Sequence, residues 1–329
     1  MTKYCKKCIN TTNMPFIEIN DEGLCNVCEL YKNKFDATYI KKEMEYIKNF
    51  ISSDSIVNCM VAVSGGKDST AMLNGVKKTG FNPLAFTFNL GYNSVDENII
   101  KYICSYANVS HEVIDIHKYI SEIDRRNFYL MGDVYEKVLT GKICKENFAE
   151  LYSKGRKYYS TKFEKEFAFV RPCQICRKVV IKAYYEEALL HNVRVIFVGI
   201  NEWASIRDGK LSAIRVLKPY ENRPAVLIVH WPFLIQTKYE DVLKILKQGG
   251  FEKIPIDLDV ETGGNNCILA NACERISHNF FGFHLDALRL SREVTVGFID
   301  KATAAKALGN DKKEYNESVM DVLIKAGVI

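Results

Sequence analysis

The sequence predicts an α/β protein built on a doubly wound parallel sheet, with a zinc ribbon before the sheet and a helical region after it. Three observations predict this. Short β-branched apolar runs alternate with segments of helical periodicity between about residues 56 and 229. Two Cys-x-x-Cys pairs, Cys5/Cys8 and Cys25/Cys28, precede those runs. From Tyr239 onward the spacing is helical, interrupted by a Gly/Asn-rich loop. The implied divisions are a ribbon over 1–32, a linking helix over 33–54, a sheet domain over 55–235 and a helical region over 236–329.

The 329 residues suffice for one large or two ordinary domains, and 47% apolar content excludes a disordered chain. No run of about 18 apolar residues is present, so no membrane span is expected. Residues 1–5 lack a signal-peptide core, which places the protein in the cytoplasm. A net charge of +5 admits anionic substrates such as nucleotides without singling out nucleic acid.

Sixteen residues separate Cys8 from Cys25, the spacing of a tetrahedral zinc ribbon, with Asn20 to Gly23 as a turn between two short strands. Four thiolates saturate the metal, so Cys5, Cys8, Cys25 and Cys28 form a structural site. In the linking segment, Ile40, Met44, Ile47 and Ile51 fall at helical spacing. Residues 56–63 read as the first strand, followed directly by Ser64-Gly65-Gly66-Lys67-Asp68-Ser69 and a helix carrying Ala71, Met72, Leu73 and Val76, with Gly80 at its end. Strand, glycine turn and helix make an anion site, where bare N–H groups and the helix dipole face the ligand. Ser64 and Ser69 add hydroxyls, Lys67 adds a point charge, and Gly65 and Gly66 permit close approach. Neither G-x-x-x-x-G-K-[ST] nor G-x-G-x-x-G is present.

Residues 83–90 form the next strand with Asn89 near its end, 95–108 a helix, and 109–116 a third strand. Residues 118–170 read as helical and aromatic, with Phe128, Tyr129, Tyr135, Tyr152, Tyr158 and Tyr159 assigned mainly to packing. Cys173 and Cys176 precede a helix reaching about His191. A strand over 193–200 ends in Gly199-Ile200-Asn201-Glu202, and a fifth strand spans 225–229. Ligands of such sheets bind beyond the carboxyl ends of the strands, which makes Asn89, Gly199 and Asn201 candidate contacts for the rest of a phosphate-bearing ligand. Residues 263–267 form a loop ending in Cys267. Cys173, Cys176 and Cys267 could hold an iron–sulfur cluster with one iron open, serve as a redox or sulfur-carrying pair, or be unligated. The six histidines form no ligand pattern, and Cys59, Cys104, Cys144 and Cys273 have no partner spacing.

The Ser64–Ser69 stretch resembles the S-G-G-x-D-S loop of PP-loop ATP pyrophosphatases, of the adenine nucleotide alpha hydrolase-like fold. Cys5-x-x-Cys8, with Asp21-Glu22-Gly23 before Cys25-x-x-Cys28, ahead of such a domain is similar to the N-acetyl sugar amidotransferases of surface-polysaccharide and flagellin-sugar pathways. Residues 291–304, beginning Ser291-Arg292-Glu293-Val294-Thr295, resemble a loose form of that family's terminal segment. The layout also resembles iron–sulfur tRNA thiolation enzymes, with Cys173, Cys176 and Cys267 matching in order.

Both resemblances imply one mechanism. The loop holds the β,γ-phosphates of ATP, a carbonyl oxygen of the acceptor attacks the α-phosphorus, pyrophosphate leaves, and nitrogen or sulfur displaces AMP. Lys67, the loop N–H groups and Mg²⁺ stabilise charge, while Asp68 either orients the metal or caps the helix. The first family implies ATP, Mg²⁺ and Zn²⁺, a small sugar acceptor and a separate glutaminase as ammonia source. The second implies a [4Fe-4S] cluster and tRNA, against which the mild charge and lack of dense Lys/Arg clusters argue.

Overall fold

The computed structural model describes residues 1–51, 56–93, 96–160, 165–218, 221–251, 254, 260, 267–282, 284–309 and 317–329. The sequence readings at Val95, at residues 263–266 and for the side chains of Tyr158 and Tyr159 lie outside the described residues.

A six-stranded sheet forms the centre. Its strands are β1 (Cys59–Ala62), β2 (Pro83–Asn89), β3 (His111–Asp115), β4 (Val195–Val198), β7 (Ile214–Leu217) and β8 (Val226–His230), in the order β3-β2-β1-β4-β8-β7. Every pairing is parallel except that of edge strand β7 with β8. The four inner strands are fully or mostly buried, as continuous apolar runs require when both faces are covered. A hairpin of β5 (Ser205–Arg207) and β6 (Lys210–Ser212) stands apart.

The sheet is mostly parallel, as expected, with two corrections. The first strand is shorter than 56–63, because Ile56 is 95% exposed and pairing begins at Cys59. Strands β5 to β7 have no counterpart in the sequence reading. They are three or four residues long and interrupted by Arg207, Lys210 and Arg215, so no apolar run announces them.

Helices cover both faces. On one side α3 (Lys67–Lys78) touches β2, β4 and α9 (Tyr239–Gln248). On the other, α7 (Pro172–Leu190) buries Tyr185 and Ala188 against Met60, Leu84, Ile196 and Ile228. Ahead of the sheet the linking segment is two helices, α1 (Asn26–Lys34) and α2 (Ala37–Phe50). They are broken at Asp36, whose carboxylate accepts hydrogen bonds from the N–H groups of Thr38 and Tyr39. The expected short strands around Asn20–Gly23 reduce to a single antiparallel bridge between Ile19 and Cys25, after which the second cysteine pair runs into α1. Its turn is as read, with Gly23 at φ +80° and its N–H bonded to the Asn20 carbonyl. Helix α4 (Glu97–Tyr106) precedes β3, and α5 (Glu122–Leu139) and α6 (Lys145–Ser160) lie between β3 and α7. After β8 come the single-turn α8 (Trp231–Leu234) and α10 (Ile268–Phe281), α11 (Ala287–Val296), α12 (Lys301–Gly309) and α13 (Val319–Lys325). Among the described residues, no helix is long and apolar enough to cross a membrane.

Candidate active site and metal centre

The chain runs β1, β2, β3 to one edge of the sheet and then returns to place β4 on the other side of β1. Strand order reverses between β1 and β4, where an open parallel sheet leaves a crevice at its carboxyl end. A cleft of about 520 Å³ opens there.

The loop after β1 forms one wall. Gly65 adopts φ +83°, a conformation glycine reaches without strain, and Gly66 starts α3. The Ser69 hydroxyl accepts from the Ser64 N–H at 3.2 Å and donates to the Gly66 carbonyl at 3.0 Å, folding the loop back on the helix start. Gly199, just past β4, forms the opposite wall, so close that a β-carbon there would stand 3.6 Å from the Ser69 nitrogen. Ser64, Gly66, Lys67, Asp68, Ser69 and Gly199 all line the cleft. Beside them Phe86, Phe88, Val180 and Tyr184 make an apolar wall.

Neither asparagine lines the cleft, and the two differ. Asn201 is buried, and its Nδ2 donates to Asp68 Oδ2 at 3.1 Å. Asn89 is exposed at the end of β2, its Oδ1 accepting from the Gly91 N–H at 3.1 Å; it shapes the turn and is not among the cleft-lining residues.

Several cleft residues escaped the sequence reading. Tyr239 comes from the start of α9, and its hydroxyl accepts from Lys67 Nζ at 2.9 Å. Arg289 and Glu293 come from α11, one turn apart. Arg289 donates twice to the Asp286 carboxylate, at 3.1 and 2.9 Å from Oδ2, and once to Glu293 Oε1 at 2.5 Å. Burial pushes the Glu293 carboxyl up to about 7, opposed by Arg289 and reinforced by Asp68 and Asp286. The available signal was an i, i+4 Arg/Glu pair on a segment otherwise apolar enough to be buried. Further back, Arg292 pairs with the buried Glu202 at 2.7 Å. The Glu202 carbonyl accepts from His230 Nδ1, and burial holds His230 down at about 4 and thus neutral.

At the N-terminus the sulfurs of Cys5, Cys8, Cys25 and Cys28 lie within 4.8 Å of one another, all buried. Cys5 and Cys28 stand 3.8 Å apart, Cys8 and Cys25 3.6 Å. Zinc–sulfur bonds of about 2.3 Å in a tetrahedron give edges of about 3.8 Å, so the four sulfurs fit a zinc ion. Polar hydrogens already face them: Cys25 N–H toward Cys5 Sγ, Asn10 N–H toward Cys8 Sγ and Asn10 Nδ2 toward Cys25 Sγ. Hydrogen bonds from Cys28 and Cys8 lower the Cys25 thiol below its ordinary range, and the same bonds raise Cys8 and Cys28.

The third cysteine group gathers around Tyr92, in the turn after β2. The Tyr92 hydroxyl and Cys176 Sγ are 2.8 Å apart, and Asn93 forms a β-bridge with Cys267. Cys267 caps α10, while Cys173 is exposed in the first turn of α7. The three thiols feel one another electrostatically, and burial pushes Cys176 well up and Cys267 up to about 12. They are not drawn together as the ribbon sulfurs are. Among the described residues the ribbon set is the one group of three or more potential ligands within 4.8 Å.

The family model for queuosine biosynthesis protein QueC, of the PP-loop ATP pyrophosphatases, matches residues 58–168, which include the glycine loop. No curated protein matches the chain. A solved structure of NMN synthetase from Francisella tularensis aligns over 86% of this chain and 100% of its own, at 15% identity and a TM-score of 0.34, too distant to argue from. Sheet order, the loop at its switch point and the QueC match together give this chain a PP-loop-like α/β fold and support its reading as an ATP-using enzyme.

Proposed function

We propose that the protein is an ATP-dependent amidotransferase acting on a small N-acetyl sugar. The observation that carries the first half of this reading is the glycine loop facing Gly199 across the switch point, with Lys67 and Asp68 at its helix start. A triphosphate laid on the Gly65 to Ser69 N–H groups leaves its α-phosphorus toward the cleft. The acceptor's amide oxygen attacks that phosphorus and the bond to pyrophosphate breaks. Ammonia then adds to the activated carbon through its electron pair, and the former amide oxygen departs as part of AMP, leaving an amidine. Lys67 and the loop N–H groups stabilise charge on the departing pyrophosphate, and Mg²⁺ entering with ATP adds to that stabilisation. Cys5, Cys8, Cys25 and Cys28 would hold a structural zinc ion.

The nitrogen half is supported by residues 291–304. The segment that resembles the amidotransferase tail supplies Glu293 and Phe298 to the cleft. Ammonia would come from a separate glutaminase in the cytoplasm. A second reading, sulfur insertion into tRNA or a small molecule by a cluster on Cys173, Cys176 and Cys267, draws support from the meeting of these cysteines around Tyr92 near the cleft.

The test combines ATP, ammonium chloride and a panel of free and nucleotide-linked N-acetyl hexosamines, reading AMP, pyrophosphate and acceptor mass. Exchange of oxygen for NH in the acceptor, surviving serine substitution of Cys173, Cys176 and Cys267 together, is the expected result. Absence of acceptor-dependent pyrophosphate release, or a sulfur-containing product, overturns it.

A further inference from the structure

Behind Asn201, away from the nucleotide loop, lies a second and much smaller pocket of about 10 Å³, room for about one water-sized molecule. Its walls are mostly apolar: Pro232, Phe233, Val296 and Phe298. Its outer end is the turn after α8, where Gln236 is exposed and Thr237 half-buried. Its inner end is Asn201. Two contacts join it to the main cleft. Phe298 lines both spaces, and Asn201 bonds to Asp68, which lines the cleft.

On the cleft side of Asn201 two buried oxygens have no hydrogen-bond donor at normal distance among the described residues, Asn201 Oδ1 and Glu293 Oε2; Glu293 lines the cleft rather than the pocket, and its carboxyl feels the Asn201 amide. Both side chains are more than nine-tenths buried. Buried polar atoms are ordinarily satisfied, so the pair calls for a ligand that brings donors. Its chemistry is restricted. The one Arg289 guanidinium there faces three carboxyl groups, Glu293, Asp68 and Asp286, so the site favours a neutral or cationic ligand. The pocket admits nothing larger than water. A hard divalent cation wants about six oxygens, which this mostly apolar space does not supply. Ammonium brings N–H donors in a water-sized body, and neutral ammonia crosses apolar walls at little cost.

We propose that this pocket is the nitrogen port of the enzyme: ammonia enters at Gln236 and Thr237, takes the proton of the Glu293 carboxyl, and is held as ammonium by Asn201 and the Glu293 carboxylate beside Asp68, facing the activated acceptor. The proposal rests on the nitrogen-transfer reading above. One N–H bond of the ammonium breaks, its proton passes to the Glu293 carboxylate, and neutral ammonia remains with its electron pair free.

The probe is ¹⁵N-labelled ammonium chloride added to the full-length, zinc-loaded protein, read by direct nitrogen detection above about pH 7, where the Glu293 carboxyl carries its charge, without any acceptor. A bound-ammonium resonance distinct from the free ion is expected. Its half-saturation should move to about tenfold higher ammonium in Glu293→Gln, which removes a charged acceptor. Thr237→Leu, which narrows the mouth without touching the cleft, should slow exchange between bound and free ion. No bound resonance, a resonance unchanged in both variants, or one removed by an equal concentration of potassium chloride overturns the port. Acceptor-dependent ATP–pyrophosphate exchange needs no ammonia and separates the two claims. Exchange without a bound resonance sinks the port alone. A bound resonance without exchange leaves the ammonium site standing and sinks the proposed reaction.

Discussion

Helix α11 has two working sides, and they solve opposite problems. Toward the ribbon, Ser291 donates to Asn10 Oδ1 at 2.8 Å and Thr295 meets Cys28 Sγ at 3.1 Å. Toward the cleft it presents Arg289 and Glu293. The ribbon side serves four sulfurs already at metal-binding distance and sealed from solvent. The cleft side keeps its acids apart with an arginine between them and stays open. Closed, saturated ligands suit a structural ion, whereas open, balanced charges suit a substrate that comes and goes. One helix thus ties a permanent site to a transient one.

Removing the metal should break this comparison most severely. Structural zinc supplies apparent free energies of about 10–16 kcal/mol, as large as the roughly 5–15 kcal/mol net stability of a whole domain. Chelation, or Cys25→Ala, should unfold residues 1–32 and deprive α11 of its ribbon contacts. Hydrogen exchange at Ser291 to Thr295 should accelerate and ATP affinity should fall. Unchanged exchange in α11 after zinc loss would show the two sides to be independent.

Next in size is the acid on the cleft side. The Glu293 carboxyl titrates at about 7 in the folded chain against 4.5 for an ordinary glutamate, chiefly through burial. The neutral form is therefore favoured by folding. The contribution is fully present below about pH 4.5 and is lost as pH rises through about 7, a cost on the order of 3 kcal/mol. Arg289, Asp68, Asp286 and Asn201 are the groups that set it. Denaturant unfolding at several pH values should show wild type losing stability across this window relative to Glu293→Gln, and parallel profiles would contradict it.

Smaller still is the polar seam on the ribbon side. Ser291→Ala leaves Asn10 Oδ1 without its donor and should cost about 1–2 kcal/mol. Zinc should bind more weakly while ATP affinity changes little. The reverse pattern, weaker ATP with intact zinc affinity, would show that the seam serves the cleft.

The last prediction sets the ribbon against the other sulfur group and concerns rates alone. Cys173 is exposed while Cys267 is pushed up to about 12 by burial, so alkylation of the zinc-loaded protein should mark Cys173 well before Cys267 or the ribbon. Mass mapping that finds Cys267 modified first would reverse this order.

What the sequence revealed depended on how local the cause was. The buried strands and glycine loop follow from neighbours a few residues apart, and the ribbon from two short spacings, so all were readable. Arg289 and Glu293 reach a loop more than 200 residues earlier in the chain, and no periodicity records which side of a helix faces which distant loop. Asn89 and Asn201 looked equivalent as polar residues at strand ends. Only tertiary structure separates the exposed turn-former from the buried partner of Asp68. Strands β5 to β7 were hidden because the edge they build is held by backbone pairing rather than by an apolar run.

The double duty of α11 also constrains how this chain can change. Successive residues of a helix are set about 100° apart, so inserting or deleting one residue between Arg289 and Ser291 turns one group against the other by that angle. Ser291 could keep its place against Asn10, or Arg289 its place on the cleft wall, but not both. Substitutions on either side are separable, whereas a length change in this stretch is felt at both sites, one of which joins Ser291 to a residue 281 positions earlier, Asn10. A library varying helix length here should therefore yield few functional members, and those should carry compensating changes at the helix ends, near Asp286 or Gly297, where the left-handed cap can absorb an offset.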